Sequence, residues 1–180
     1  MAPKQWKTPL RSRAKPPALR GDLLFGRLHG RTMMGMSLTS KTGYKLGCGP
    51  YAPEVYRLPF PSRFHFGDGL SEEAFVAREL ERLREAFYTY AAAEQVAAII
   101  IEPVQGEGGF IPAPAAYLQG LRAICNETGI LLICDEVQSG FCRTGEWSAY
   151  EHAGITPDLR PGPNRWAAEC PSPRSLAGLK

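Results

Sequence analysis

The sequence predicts an α/β fold, a mostly parallel sheet with flanking helices, and three observations predict it. Two short apolar runs, Val96–Glu102 and Ile130–Asp135, carry apolar side chains at successive positions, as strands covered on both faces do. A helical pattern lies between them, so strand, helix and strand read as a right-handed βαβ unit. Both runs end in a carboxylate, Glu102 and Asp135, followed by a turn-rich loop. In open α/β sheets ligands gather beyond the carboxyl ends of strands.

Taken in order, residues 1–20 hold six basic residues and no acid and are rich in proline. No periodic pattern runs through residues 1–22, which read as a disordered or out-of-frame basic segment. Ser71–Ala92 reads as a helix. Ser71 can cap it, Glu72 and Glu73 suit its positive end, and Ala74, Ala77, Leu80, Leu83 and Phe87 form the apolar stripe. Val96–Glu102 is the first strand. Pro114–Thr128 is the second helix, with Tyr117, Leu118, Leu121, Ile124 and Cys125 on one face and Gly129 as its stop. Ile130–Asp135 is the second strand. Residues 160–180 return to a basic, proline-rich composition with four basic residues and one acid, and read like the N-terminal segment.

The net charge of +3 over 180 residues hides this asymmetry. Residues 21–159 hold 11 basic and 17 acidic residues, a net of −6. An acidic core between basic arms raises one alternative, a non-enzymatic α/β protein whose arms bind nucleic acid. Against it, the arms lack interleaved aromatics apart from Trp6 and Trp166. The longest apolar run, Val96–Ile101, is far short of the roughly 20 residues a bilayer span needs. No apolar segment follows the basic N-terminus as in a secretory signal. Cys48, Cys125, Cys134, Cys142 and Cys170 are scattered without a CxxC pair. That spacing points to a reducing compartment, the cytoplasm or the mitochondrial matrix, and gives no metal site.

The chemistry is carried by IIIEPVQGEGGF at 99–110, ILLICDEVQSGFCRTG at 130–145 and GITPDL at 154–159. Together these resemble the class III aminotransferases of fold-type I, over residues 25–159, and the 4-aminobutyrate aminotransferases within them. The resemblance implies that residues 23–159 are part of the large, pyridoxal 5'-phosphate-binding domain of a transaminase that works as a homodimer on amino-acid and 2-oxo-acid substrates. It also implies roles. Asp135 would pair with the pyridinium nitrogen, Val137, on the same side of an extended chain, would lie under the ring, and Gln138 would bond its phenolic oxygen. His29, in HGRT at 29–32, falls in the segment that covers the other face; the preceding residue, usually aromatic in the family, is Leu28 here. Arg31 and Glu107 match substrate-binding positions of the 4-aminobutyrate subfamily. Glu102 is expected as a structural acid near the site, and Arg143 as a residue that holds the loop. His65 and His152 read as structural.

One element of the family pattern is missing. Transamination needs a lysine that forms a Schiff base and shuttles a proton. In relatives it follows the PDL element within A-K-S-x-G-G-G-x-P-L, whereas this chain continues RPGPNRWAAECPSPRSLAGLK. No catalytic lysine is therefore assigned, and this chain is expected to be inactive. The genetic code suggests why. Read from each third base, the triplet spanning Pro163 and Asn164 can encode Lys, Gln or Glu. The triplets after it permit S-L-G-G-G-M-P-L, with the first glycine forced. Residues 1–14, read in the same way, permit G-A-E-A-V-E-N-A-V-K-I-A-R, which resembles the family's helix after the phosphate loop. Sequencing the coding DNA around codons 15–25 and 158–166 is expected to show frame changes there. A single uninterruptible frame through both regions removes this account.

Overall fold

Four strands build the main sheet of the computed structural model, which describes residues 21–25, 29–30, 32–40 and 42–162. They are β1 (Gly21–Phe25), β2 (Val55–Leu58), β3 (Val96–Ile101) and, after two short strands, β6 (Leu131–Cys134). Their order is β2-β1-β3-β6 and every neighbouring pair is parallel. The short strands β4 (Val104–Gln105) and β5 (Ile111–Pro112) form an antiparallel ribbon just beyond β3. Helices α1 (Met33–Leu38), α2 (Arg63–Phe66), α3 (Glu72–Thr89) and α4 (Ala115–Thr128) complete the frame. The expected α/β class with a parallel sheet and flanking helices is what the structure has.

Helix α4 connects the adjacent parallel strands β3 and β6, as the strand–helix–strand reading requires. Pro114 precedes its first turn, where a missing N–H costs nothing. Gly129 ends it in the left-handed region at φ 73°, its N–H bonded to the Cys125 carbonyl. All five residues of the expected face, Tyr117, Leu118, Leu121, Ile124 and Cys125, are buried. They pack with Ile99, Ile101 and Leu132 of the sheet and Phe75 and Leu83 of α3. Each such side chain removed from water contributes about 1.5–3 kcal/mol.

Helix α3 departs from the expected stripe. Ser71 does cap it, its Oγ accepting the Ala74 N–H at 3.2 Å; hydrogen bonds to the Glu73 carboxylate from its own backbone N–H and from the Ser71 hydroxyl hold that carboxyl below its usual range. The buried face, however, is Phe75, Val76, Glu79, Leu83 and Ala86, while Ala74 and Ala77 are exposed. Burying Phe75 and Val76 removes more apolar area than burying two alanines. Glu79 can join that face because Arg82 and Arg78 neutralise it at 2.7 and 3.1 Å. The helix also stops at Thr89 rather than Ala92.

Strand β6 is a second correction. It was expected to be covered on both faces, yet Leu131 is 45% exposed. It is the last strand of the described sheet; on its outer side lies the irregular segment 158–161, which bonds Leu132, Cys134 and Glu136 through the backbone without forming a strand. No described helix is long and apolar enough to cross a membrane. Segments 1–20 and 163–180, including Cys170, lie outside the described residues.

Among the described residues four cysteines are free thiols, Cys48 and Cys142 exposed, Cys125 and Cys134 buried. Burial pushes the Cys125 thiol up to about 12 and raises that of Cys134 as well. Iodoacetamide is therefore expected to label Cys48 and Cys142 in the native chain and Cys125 and Cys134 only on unfolding, as peptide mapping can check. The sign for stability follows. Below the ordinary thiol value of 9.0 both states hold the Cys125 proton; above it the unfolded chain releases it first, so stability falls as pH rises from there toward about 12.

Candidate functional site

The register of β3 against β6 builds the site. Ile101 pairs with Cys134, so the next residues, Glu102 and Asp135, leave the sheet side by side. The Asp135 N–H donates to the Ile101 carbonyl at 2.8 Å. Three carboxylates, Glu102, Asp135 and Glu136, are thereby buried at the carboxyl edge of the sheet. A buried carboxylate is costly unless donors meet it, and each of these has found local ones.

Asp135 is held from two directions. Its Oδ1 accepts the Val137 N–H at 3.1 Å, and its Oδ2 lies 2.8 Å from Nδ1 of His29. Both side chains of this pair are almost fully enclosed, 4% exposed for His29 and 10% for Asp135. With the carboxylate as acceptor, the imidazole donates from Nδ1. Its Nε2 is buried without a partner among the described residues.

His29 is itself anchored. Its N–H donates to Thr39 Oγ1 at 3.0 Å, and that hydroxyl donates to the Gly35 carbonyl at 2.8 Å. A Cβ on Gly35 would stand 2.9 Å from the His29 carbonyl oxygen, so only glycine lets α1 come this close. The Arg57 guanidinium, from β2, donates to the Ser37 and Thr39 carbonyls and ties the end of α1 to the sheet.

The Asp135–Val137 contact bends the chain. Val137 was expected on the same side of an extended segment as Asp135; instead Val137–Gly140 is a turn. Val137 is 43% exposed, and Gln138 is exposed as well. Beneath the turn, Glu136 accepts the Ser139 hydroxyl at 2.6 Å and the Tyr150 N–H at 3.0 Å. Arg143 donates to the Gly140 carbonyl at 3.2 Å. Glu102 Oε2 accepts the Gly106 N–H at 2.9 Å, closing the loop that carries exposed Glu107. His65 bonds Ser62 and His152 bonds Thr144.

The structure thus brings Asp135, His29, Val137, Gln138 and Glu102 to one edge. Arg31 and Leu28 lie outside the described residues. Reading the sequence alone missed Glu136, Gly106 and Thr39 as parts of this arrangement. Glu136 had a signal, being the second acid of a pair at a strand end. Thr39 had none, because its role depends on how α1 packs. No cluster of His, Cys, Asp and Glu able to hold a metal ion occurs among the described residues.

Residues 24–160 match the family described as aminotransferase class-III. A probable 4-aminobutyrate aminotransferase of Bacillus subtilis is 46% identical over 132 residues, covering 73% of this chain and 30% of that protein. A 5-aminovalerate aminotransferase DavT of Pseudomonas putida is 47% identical, covering 74% and 30%. A solved (S)-enantioselective omega-transaminase from Thermomicrobium roseum superposes with a TM-score of 0.72 at 38% identity, covering 77% of this chain and 31% of that one. The chain therefore spans about a third of the length of the relatives it matches.

The loop after the turn is strained. Phe141 and Cys142 are consecutive non-glycine residues in the left-handed region, at φ 62° and 60°. They are held there by the Phe141 N–H bond to the Trp147 carbonyl and by ring contact between the two aromatics at 5.1 Å. Cys142→Gly is expected to raise stability by about 1 kcal/mol, because glycine has no Cβ penalty in this region. Urea unfolding checks it. Glu136→Ala is expected to cost about 2 kcal/mol or more by stranding the Ser139 hydroxyl and Tyr150 N–H.

Proposed function

The chain belongs to the class III aminotransferase family, and we propose that it is part of a transaminase that moves an amino group from 4-aminobutyrate or a similar ω-amino acid to a 2-oxo acid, with pyridoxal 5'-phosphate as cofactor. The observation that carries the reading is Asp135, a buried carboxylate at the carboxyl end of a parallel strand, fixed by His29 and the Val137 N–H.

These residues fit the group. Pyridoxal phosphate, when bound, supplies a ring that accepts the electrons released as the amino donor loses its proton. Asp135 is the anion that would hold a proton on the ring nitrogen, and such an anion at fixed distance favours that protonated form. His29 and the Val137 N–H orient the carboxylate, so little reorganisation is required of it. Val137 offers an exposed apolar side chain for contact with the ring. Gln138 offers an exposed amide to donate to the phenolic oxygen. Glu107 and Arg31 would bind substrate, the planar guanidinium suiting a carboxylate. The parent protein would act as a homodimer in the cytoplasm or mitochondrial matrix; the free thiols support a reducing compartment.

The exact amino donor is the finer part of the proposal. The first relative is named for 4-aminobutyrate and the second for 5-aminovalerate, which supports an ω-amino acid as the class. The nucleic-acid alternative is not favoured: it rests on the basic arms, whereas residues 24–160 are accounted for by the family.

Two outcomes are expected. Titrated with pyridoxal 5'-phosphate and followed by absorbance, the chain should bind, and Asp135→Ala should weaken binding about tenfold or more, as loss of a charged hydrogen bond does. Equal affinity in Asp135→Ala overturns the role of that carboxylate. The 180-residue chain should also show no turnover of 4-aminobutyrate with a 2-oxo acid, since no lysine of the family pattern follows Leu159. A borohydride-reducible adduct accompanied by turnover contradicts this.

A further inference from the structure

We propose that Gly106 is a positioning residue that sets the side-chain direction of Gln138, and that Glu102 acts through it. The inference rests on the reading above, in which Gln138 is one of the residues that meet the ligand.

Gly106 is fixed by its backbone on two sides. Its N–H donates to the buried Glu102 carboxylate at 2.9 Å, and its carbonyl accepts the N–H groups of Gly109 and Phe110 at 3.0 and 3.3 Å. Its open Cα face is occupied by Gln138. A Cβ placed on Gly106 would stand 2.5 Å from Gln138 Cγ, 2.9 Å from its Cβ and 3.3 Å from its Cδ. The aliphatic stem of Gln138 therefore lies across the glycine, in a residue that is exposed as a whole.

The identity of the contacted atoms decides what the glycine does. Gly120, in α4, is equally crowded, but by Leu80, whose δ-carbons at 2.4 and 3.0 Å can swing away by a rotamer change. At Gly106 the crowding includes Gln138 Cβ, which moves only with the backbone of the Val137–Gly140 turn. That turn is pinned at both ends, by the Val137 N–H on Asp135 and by the Ser139 hydroxyl on Glu136. A side chain at residue 106 would have to turn the Gln138 stem, which relieves the contacts with Cγ and Cδ, and also push a turn that two buried carboxylates hold, which the contact with Cβ requires. The GEGG loop at 106–109, beyond one strand end, thus aims the amide of the next, through contact rather than a hydrogen bond.

The test uses the full chain in four forms besides wild type: Gly106→Ala, Gln138→Gly, both together, and Leu83→Ala as a core-destabilised control. Urea unfolding and the side-chain amide cross-peak of Gln138 are read in each form that carries the group. Gly106→Ala should shift that cross-peak and lower the unfolding midpoint. Adding Gln138→Gly should recover midpoint in the Gly106→Ala background although it does not raise that of wild type. A cross-peak shift no larger than in Leu83→Ala overturns the proposal, as does a double variant with no recovery, including one that is unfolded with its parent. Pyridoxal 5'-phosphate affinity separates the two readings. Gly106→Ala should weaken it about tenfold, the worth of one hydrogen bond, and no further when Gln138→Gly is added. If Gln138→Gly binds as well as wild type, the ligand role of Gln138 falls, while the coupling of Gly106 to Gln138 is decided by cross-peak and midpoint alone.

Discussion

The pairing of β3 with β6 obliges this structure to bury carboxylates. Because Ile101 and Cys134 are register partners, Glu102 and Asp135 emerge together, and Glu136 follows into the interior. Desolvating an unpaired carboxylate costs several kcal/mol, more than most single contacts in a domain return. The loops at this edge take the shapes that relieve that cost. Glu102 draws in the Gly106 N–H, Asp135 draws in Val137 and His29, and Glu136 draws in Ser139 and Tyr150. The turn at Val137–Gly140 is thus a consequence of charge satisfaction more than of turn-forming sequence.

What the sequence made legible was local. Helix α4 announced itself because Pro114, a five-residue apolar face and Gly129 agree with one another. Helix α3 was legible as a helix through Ser71, but its buried face was not. Glu79 reads as polar until Arg78 and Arg82 are seen to neutralise it, and that neutralisation is what admits Phe75 and Val76 to the core beside it. Strands β1 and β2 carried no usable signal. They are five and four residues long and gain their place only by pairing with each other and with β3, far along the chain.

The site divides in the same way. Asp135, Val137 and Gln138 could be named together because they lie within four residues of one motif. The contact of His29 with Asp135 spans 106 residues of sequence and depends on α1, Thr39 and Arg57. No spacing rule reaches across that. The motif did point to His29, but as a residue covering the cofactor, and the structure adds a bond to the carboxylate. Conversely, the turn at Val137 was misread as extended chain, because the side chain of Asp135 competes with strand continuation by bonding two residues on.

The arrangement at Asp135 combines burial of a carboxylate with acceptor capacity that is only partly used. An ionised carboxylate has about four acceptor directions on its two oxygens. Among the described residues, each oxygen accepts one hydrogen bond, from His29 on one side and the Val137 N–H on the other. That is enough to repay part of the desolvation and to fix the plane of the group, but not enough to saturate it. A further donor carrying positive charge would complete the set and gain more than it could from solvated aspartate, because the local dielectric is low and the acceptor is already oriented. Two donors hold the plane of the group and leave acceptor directions open on both oxygens.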